Sequence, residues 1–302
     1  MGLTLSPSEG SLQEDAPLAA LTTWRIGGPA RFLCRVKTEA ALARVLATAA
    51  GDGLPLAILG MGSNILIADA GFPGYVVRLD GDFLSVTVDG ERVRAGGGAA
   101  LGGVCAAAAR AGLSGLEAIS GIPSSIGGAV RINAGAYGGE IFDVLETVRL
   151  VSRSGERRAV EASQIRHAYR NTELVESREI VSEAVLKLTR APREQIEAKT
   201  RGVAEKRRGA LPGEPNAGSV FKNPKDDHAG RLIEACGLKG RTRGAAVISP
   251  RHANVIVNTG GARAVDVLGL MQTMRDAVAE KRRGALPGEP NAGSVFKNPK
   301  DD

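Results

Sequence analysis

The spacing of apolar residues changes several times along the chain and predicts a mixture of helices and strands. After Thr38, a favourable N-cap residue, Leu42 and Leu46 lie four positions apart and Gly51 and Gly53 follow, which is typical of a helix. Short apolar runs punctuated by turn residues then predict a series of strands, at 56–59, 64–68, 75–79, 84–87 and 91–95.

The rest of the chain continues this mixture without a regular alternation of strand and helix. An alanine-rich stretch that ends at Gly112 predicts a buried helix, and the glycine-rich stretch 119–139 predicts a loop. Alternating apolar and polar residues at 144–153 and 178–189 indicate half-buried antiparallel strands. Later patterns predict helices at 193–207, 228–240 and 264–281, and strands at 245–249 and 254–258. The predicted fold class is therefore α+β rather than a doubly wound sheet.

A change of composition near Ala191 divides the chain into two predicted domains. Residues 18–190 would form the first domain, with subdomains of about 18–80 and 81–190, and residues 191–277 would form the second. The polar segment 1–17 has neither the basic nor the apolar region of a targeting peptide. We predict that this segment is a flexible tail.

The segment 203–227 recurs letter for letter at 278–302. Solenoid repeats diverge and stack several times, whereas this repeat is exact and occurs twice, so it does not indicate a repeat fold. It indicates a recent tandem duplication or an assembly error. The copy at 278–302 is predicted to be a non-native or disordered tail.

The net charge of +6 comes from basic residues scattered over the 302 residues. This distribution is too diffuse for a nucleic-acid-binding stripe, so an acidic or phosphorylated small molecule is the expected ligand. No run of about 18 apolar residues is present, and no membrane span is predicted. Three widely separated cysteines provide neither a CxxC metal site nor a disulfide framework, so we expect no metal and a cytoplasmic location. The oligomeric state stays open.

Two glycine-rich segments are candidates for ligand binding. The first follows a predicted strand and combines glycines with short polar side chains that could surround phosphates, at Gly60, Gly62, Ser63 and Asn64. The second, at 120–140, could lie along a pyrophosphate or a flavin ring, with Gly121, Ile122, Gly127, Gly128 and Asn133 as contact residues. The structural alternatives are an ordinary strand-end turn for the first segment and a sheet corner for the second.

A third set of residues has reactive or charged side chains. Tyr169 and Arg170 are adjacent and form either a surface pair or a carboxylate clamp. Ser219 follows a glycine and has Lys222 and Asn223 close by, so it can bind an anion or donate a proton. No GxSxG elbow surrounds this serine, which makes a hydrolase nucleophile the weaker interpretation. His252 could line the same cleft, although a lone histidine is more often structural.

The order and spacing of these motifs resemble the UDP-N-acetylenolpyruvoylglucosamine reductase (MurB) family. The resemblance extends from about Thr22 to Ala277, and the short connection between Arg170 and Lys206 is similar to the family's type II form. It is carried by the segments TTWRIGGPA, LGMGSN, GLSGLEAISGIPSSIGGAVRINAGAYGGE, YRNTEL, GSVFKNP, AGRLIEACGLKG and HANVIVN.

The resemblance implies a two-part FAD-binding domain, similar to that of vanillyl-alcohol oxidase (the PCMH type), followed by a C-terminal α+β substrate domain. The implied reaction is NADPH-dependent reduction of UDP-N-acetylglucosamine enolpyruvate to UDP-N-acetylmuramate in peptidoglycan synthesis. Reduced FAD would transfer a hydride to C3, while Ser219 protonates C2 and Arg170 stabilises the enolate. The resemblance assigns the two glycine-rich segments to FAD, and it suggests further substrate-binding residues at Tyr169, Lys222, Asn223, Arg231 and His252.

The resemblance weakens at the C-terminal repeat. Family members are expected to carry a glutamate on a final strand, and the copied segment stands in its place. Glu289 lies in a copied turn that does not match that motif, and no function is assigned to Ser294 in the copied GSVFKNP. The alternative function is therefore a catalytically impaired FAD-binding protein of the same fold.

Overall fold

A computed structural model of the protein describes residues 3–282. This part of the chain contains seven α-helices and eighteen strands, numbered here along the chain. The helices are α1 Glu39–Gly51, α2 Leu101–Arg110, α3 Ile126–Arg131, α4 Leu174–Ser177, α5 Arg193–Ala210, α6 Ala229–Ala235 and α7 Ala264–Arg282.

The strands form two larger sheets and several small ones. A four-stranded sheet has the order β1-β2-β4-β3, with β1 Gly10–Pro17, β2 Pro29–Val36, β3 Leu56–Ile58 and β4 Phe72–Leu79. A five-stranded sheet has the order β11-β10-β14-β6-β5, with β5 Val86–Asp89, β6 Arg92–Gly96, β10 Leu145–Val151, β11 Arg157–Glu161 and β14 Ile180–Lys187. A three-stranded sheet contains β16 Thr242–Arg243, β17 Ala246–Ile248 and β18 Ile256–Asn258. The two-stranded sheets pair β7 Leu113–Ser114 with β15 Thr189–Arg190, β8 Gly135–Ala136 with β9 Gly139–Glu140, and β12 His167–Ala168 with β13 Asn171–Thr172.

The chain divides into two compact units. The first unit contains residues 1–14, 32–61 and 74–207, and the second contains residues 15–31, 62–73 and 208–302. In the first unit one apolar core lies around α2, α3 and the five-stranded sheet, and another packs α1 against the four-stranded sheet. The core of the second unit is formed by α6, α7 and the three-stranded sheet together with Trp24, whose indole N–H donates to the carbonyl of Ile256 at 2.8 Å.

Several of the predicted elements are confirmed. Helix α1 begins after Thr38, whose hydroxyl accepts a hydrogen bond from the N–H of Ala41 at 3.2 Å. The antiparallel pairing of β10 with β14 confirms the strands predicted from alternating residues. The mixture of helices and mainly antiparallel strands confirms the α+β class.

Other predicted elements differ from the structure. Residues 64–68 are not a strand, and the predicted loop 119–139 contains helix α3. Two glycines conceal this helix in the sequence, but the hydroxyl of Ser125 accepts the N–H of Gly128 and caps it. The division between the units falls after Arg207 instead of at residue 191 because α5 up to Arg207 belongs to the first unit.

The prediction of a flexible tail at 1–17 is wrong for residues 10–17, which form β1. Gly10 makes this pairing possible. Its backbone has a φ of +146°, and a Cβ at this position would lie 1.8 Å from the carbonyl oxygen of Arg35. The carbonyl of Glu9 accepts the N–H of Lys37 at 2.8 Å, and the Glu9 carboxylate pairs with Arg44 on α1 at 2.5 Å. Contacts distant in sequence therefore order this segment.

The predicted tail 278–302 lies outside the described residues except for its first part. Residues 278–282 form the last turn of α7, as the same sequence at 203–207 forms part of α5.

Gly10→Ala should destabilise the protein by roughly 1–3 kcal/mol, since the added methyl group overlaps the Arg35 carbonyl and the strand must move. Urea unfolding followed by circular dichroism measures this change. Gly202→Ala is the matched control, because a Cβ at Gly202 has open space within α5 and should be neutral or mildly stabilising. Equal unfolding midpoints for the two variants would show that β1 does not contribute to stability.

Candidate functional site

The structure brings together parts of the two glycine-rich segments in the first unit. A Cβ at Gly60 would lie 2.6 Å from the hydroxyl oxygen of Ser125, so the loop after β3 contacts the loop before α3. A Cβ at Gly128 would lie 3.0 Å from the hydroxyl oxygen of Ser124. Gly127 approaches a third segment, and its N–H donates to the carbonyl of Gly97 at 2.8 Å. Glycine is required here because the backbones and serine side chains lie too close together for a larger residue.

This arrangement fits the diphosphate of a dinucleotide. The segment 121–128 contains no charged residue, and the hydroxyl of Ser125 lies near Gly60. The N–H groups of Ile126, Gly127 and Gly128 already donate within the protein, whereas the Ser125 hydroxyl, which accepts from Gly128, can donate its proton to a phosphate oxygen. We identify Gly60 and the segment 121–128 as the residues of the first unit that could hold the diphosphate of FAD.

Arg207 is a cation beside the same loop that the sequence analysis did not select. A Cβ at Gly121 would lie 2.9 Å from Cδ of Arg207, so this side chain packs directly on the loop. Burial lowers the pKa of Arg207 from its ordinary value, and the nearby Tyr137 opposes that shift. In the sequence, Arg207 is marked only as a member of the short basic run 206–208, which does not indicate a contact with this loop.

Arg170 lies at the tip of a hairpin in the first unit. Strands β12 and β13 pair His167 with Thr172 and Ala168 with Asn171, which leaves Tyr169 and Arg170 as the turn. The backbone of Arg170 has a φ of +54°, a left-handed conformation that is unfavourable for a residue with a side chain. The surrounding structure therefore holds Arg170 in a strained position, which is common at functional sites.

The guanidinium of Arg170 is fixed by several groups. It donates to the carbonyl of Asn133 at 3.2 Å and to that of Gly135, and its Nη1 lies 3.7 Å from a carboxylate oxygen of Glu140. The guanidinium carbon lies 5.0 Å from the centre of the Tyr169 ring. Because only 18% of the Arg170 side chain is exposed, these contacts restrict it to few orientations. A fixed, partly buried guanidinium is suited to stabilise negative charge on a ligand.

Asn133 connects the segments around Arg170. Its side-chain amide donates to Glu140 at 2.6 Å and to the carbonyl of Ala168 at 3.3 Å, and its Oδ1 accepts the N–H of Phe142. The residue is buried and has a φ of +46°. The structure thus gives Asn133 an internal structural role, and its predicted contact with FAD stays a prediction.

The second unit contains a cavity of about 320 Å³ next to Ser219. Four of the residues predicted from the motifs line it: Ser219, Asn223, Arg231 and His252. Its other lining residues are His228, Gly230, Glu234, Arg251, Ala253 and Asn254. Lys222 is absent from the lining residues although it is close to Ser219 in sequence.

Ser219 is held at the cavity by pairing with a distant segment. It forms an antiparallel bridge with Val255, and the N–H of Val220 donates to the carbonyl of Asn254 at 2.8 Å. The buried side chain of Asn254 binds both the N–H and the carbonyl of Phe221, at 2.9 and 2.8 Å. Asn254 thus fixes the extended backbone that carries the serine. A hydroxyl on a fixed backbone at the cavity wall is suited to transfer a proton to a ligand in the cavity.

Other polar residues of the cavity are held by local hydrogen bonds. The Asn223 side chain accepts the N–H of Ala229 at 3.1 Å. Arg231 binds the carboxylate of Asp227 with two nitrogens, one of them at 2.7 Å, and Arg251 donates to the carbonyls of Arg208 and Leu211 at 3.1 Å. His228, Glu234 and Arg251 were not selected from the sequence, although Glu234 lies within the motif AGRLIEACGLKG and the other two directly precede motifs, and the fold brings all three to Ser219.

His252 is neutral at physiological pH in this environment. Burial lowers its pKa from the ordinary value of about 6.5, and Nδ1 accepts the N–H of Asn254 at 3.2 Å. Gly230 permits this packing, since a Cβ there would lie 3.3 Å from Cε1 of His252. The imidazole proton therefore resides on Nε2, which can donate to a ligand.

The pKa of His252 predicts a pH-dependent stability. In the unfolded chain the His252 side chain binds a proton near pH 6.5, whereas in the folded protein it does so only at a lower pH. The free energy of unfolding should therefore fall as the pH decreases below about 6.5. Thermal unfolding between pH 5 and 7.5 measures this effect, with His252→Gln as the comparison. The wild-type protein should lose more stability at low pH than the variant, and parallel curves would contradict the assigned pKa shift.

Residues 3–282 contain neither a metal-binding group of side chains nor a membrane-spanning helix. In this range no three His, Cys, Asp or Glu side chains are grouped so that they could hold a metal ion. No helix in the same range is long and apolar enough to cross a membrane.

Comparisons with protein families match both halves of the chain. Residues 30–161 match the family model of an FAD binding domain. Residues 211–289 match the model of the UDP-N-acetylenolpyruvoylglucosamine reductase C-terminal domain. The matched segments contain the glycine-rich loops and the Ser219 cavity, respectively.

Curated relatives and a solved structure are similar over most of the chain. UDP-N-acetylenolpyruvoylglucosamine reductase 2 of Symbiobacterium thermophilum is 44% identical over 91% of this chain and 89% of its own length. The reductase of Alkalilimnicola ehrlichii is 41% identical over 93% of this chain and 94% of its own length. The crystal structure of the Thermus caldophilus reductase (MurB) superposes with a TM-score of 0.79 and 39% identity, covering 88% of this chain and 94% of that one.

Proposed function

The chain belongs to the UDP-N-acetylenolpyruvoylglucosamine reductase (MurB) family, and on this premise we propose that it reduces UDP-N-acetylglucosamine enolpyruvate to UDP-N-acetylmuramate with NADPH. FAD is the cofactor. The observation that carries the proposal is the similarity to reductases over about nine-tenths of the chain. The grouping of Ser219 with His252 and Asn223 around one cavity supports it. We place this reaction in peptidoglycan synthesis and in the cytoplasm.

Bound FAD would supply the redox chemistry, accepting two electrons from NADPH and passing a hydride to the enolpyruvyl double bond. The protein's own residues bind the reactants, stabilise developing charge and donate protons. We assign the diphosphate of FAD to Gly60 and the segment 121–128, where two uncharged glycine-rich loops approach each other beside the Ser125 hydroxyl.

Ser219 and Arg170 are the proposed catalytic residues. When hydride adds to C3, negative charge develops towards the substrate carboxylate, and a guanidinium already fixed in place stabilises this charge without reorganising. The Ser219 hydroxyl then donates its proton to C2. A serine is weakly acidic, so proton transfer must accompany the development of charge. Asn223, Arg231 and His252 would bind polar groups of the substrate from the cavity, while Tyr169 and Lys222 stay predicted substrate contacts.

Glu140 is a positioning residue in this scheme, since it holds both Asn133 and Arg170. Glu140→Gln should lower kcat/KM roughly tenfold, because the amide no longer pairs with the guanidinium and Arg170 becomes less confined. Steady-state kinetics at constant flavin content measure this change. The control is Glu146→Gln, which removes an ion pair with Arg92 on the five-stranded sheet and should leave kcat/KM unchanged. Equal kinetics for the two variants would exclude a role for Glu140.

An anaerobic absorbance experiment tests the proposed function. NADPH is added to the purified, FAD-loaded protein, and UDP-N-acetylglucosamine enolpyruvate follows. The proposal predicts that the oxidised flavin band disappears with NADPH and returns with the substrate. The alternative of an impaired FAD-binding protein predicts that the band does not return. A band that NADPH fails to remove would contradict the proposed reductant.

A further inference from the structure

Three arginines from separate segments meet in the first unit. Arg131 is the last residue of α3, Arg153 lies in the turn after β10, and Arg178 follows α4. The positive charges of Arg131 and Arg178 both act on the guanidinium of Arg153. We call Arg131, Arg153 and Arg178 the arginine cluster. Arg131 lies in the glycine-rich segment 120–140 but outside the stretch 121–128 assigned to the diphosphate, and none of the three residues lines the Ser219 cavity.

One guanidinium nitrogen of the arginine cluster, Nη1 of Arg153, is buried and lacks a hydrogen-bond partner anywhere in residues 3–282. Burial, followed by the charges of Arg131 and Arg178, lowers the pKa of Arg153 to about 10. Burial and Arg178 also lower the pKa of Arg131. A buried guanidinium surrounded by like charges is unfavourable unless an anion neutralises it.

No carboxylate of the described residues forms an ion pair with the arginine cluster, including the nearby Glu156 and Glu176, and two other nearby carboxylates are paired with different arginines. Glu179 binds Arg158 with both oxygens, at 2.8 and 2.7 Å, and Glu173 binds Arg166 at 2.9 Å. Arg131 has a carbonyl acceptor, that of Val175 at 3.2 Å, which carries no full charge. The repulsion within the arginine cluster is therefore not relieved by these groups.

We propose that the arginine cluster is an anion-binding site that takes a phosphate-type oxyanion. A phosphate offers several oxygens to guanidinium groups that approach from different directions, and arginine forks match this geometry. Arg178 is exposed, so a phosphate can reach the arginine cluster from solvent. The buried Nη1 of Arg153 would donate a hydrogen bond to one of its oxygens. The phosphate belongs to a phosphorylated compound other than FAD, whose diphosphate is assigned above to Gly60 and the segment 121–128. This site does not depend on the reaction proposed above.

Thermal unfolding with inorganic pyrophosphate at constant ionic strength tests the site. The full-length protein is titrated in FAD-saturated and flavin-depleted forms, and FAD affinity is measured separately by fluorescence. Arg153→Gln removes the buried charge, and Arg178→Gln removes an exposed one and carries little risk to folding. The matched control is Arg190→Gln, which removes one exposed positive charge of the same unit from outside the arginine cluster.

A separate phosphate ligand predicts that pyrophosphate raises the unfolding temperature of the FAD-saturated protein. Both cluster variants should then need at least about tenfold more pyrophosphate, while the control responds like the wild type. A response confined to the flavin-depleted protein, with FAD affinity lowered about tenfold in both variants, would show that FAD itself occupies the arginine cluster and would overturn the proposal of a separate ligand. Without anion, Arg153→Gln should unfold at the same temperature as the wild type or higher. The proposal is overturned if both variants match the control in pyrophosphate response and FAD affinity.

Discussion

Replacing Ser219 by alanine is expected to slow substrate reduction by about two to four orders of magnitude, the usual contribution of a positioned proton donor. Flavin reduction by NADPH should be unchanged, because Ser219 lies in the second unit and is proposed to act only on the enolpyruvyl substrate. The backbone that carries the hydroxyl is fixed by the bridge of Ser219 to Val255 and by the hydrogen bonds of Asn254 to Phe221. Alanine preserves these backbone contacts and removes only the proton donor.

The exact repeat provides a matched control for this variant. Ser294 stands in the same heptapeptide GSVFKNP as Ser219. No function is assigned to Ser294, so Ser294→Ala should leave both half-reactions at wild-type rates. Rapid-mixing absorbance measurements follow flavin reduction and reoxidation separately in the two variants. If Ser219→Ala is reoxidised by the substrate as fast as Ser294→Ala, another group protonates C2.

Arg170→Ala is expected to lower the rate of substrate reduction about 100- to 1000-fold, the cost of removing a preorganised group that stabilises developing negative charge. Arg170→Lys should restore little of this loss. Lysine cannot reproduce the planar fork that binds the carbonyls of Asn133 and Gly135. Alanine and lysine are both unfavourable in the left-handed backbone conformation of residue 170, as arginine is. We therefore expect neither substitution to stabilise the folded protein.

Arg166→Ala is the control for Arg170, since Arg166 lies four residues earlier and its side chain is 83% exposed. Its ion pair with Glu173 is on the surface, where such pairs contribute little. Stopped-flow reoxidation by substrate is measured for each variant at equal flavin content. Full activity of Arg170→Lys would show that charge alone suffices and that the fixed geometry is unnecessary.

Local sequence signals predicted those elements that local contacts stabilise. Thr38 caps α1 through a residue three positions away, and this pattern is visible in the sequence. Strand β1 is polar and depends on the contact of Gly10 with Arg35, which no local pattern reveals. Helix α3 contains two glycines that usually weaken helices, but its buried Ile126 and the Ser125 cap stabilise it.

The candidate site shows the same division between local and distant signals. The motif GSVFKNP predicted Ser219 and Asn223, and both line the cavity. Lys222 does not line it, although it is only three residues from Ser219 in the sequence. Glu234 and Arg251 reach the cavity only through folding of distant segments. The motifs therefore identified the proposed chemistry, and the fold supplied the remaining walls of the cavity.

The most direct test of the proposed function is the identity of the product. The purified protein, loaded with FAD, is incubated with NADPH and UDP-N-acetylglucosamine enolpyruvate, and the UDP-sugar is analysed by mass spectrometry. The proposed function predicts a product that is heavier by two hydrogen atoms and co-elutes with UDP-N-acetylmuramate, formed in equal amount to the NADPH consumed. Consumption of NADPH with recovery of unchanged substrate would contradict it.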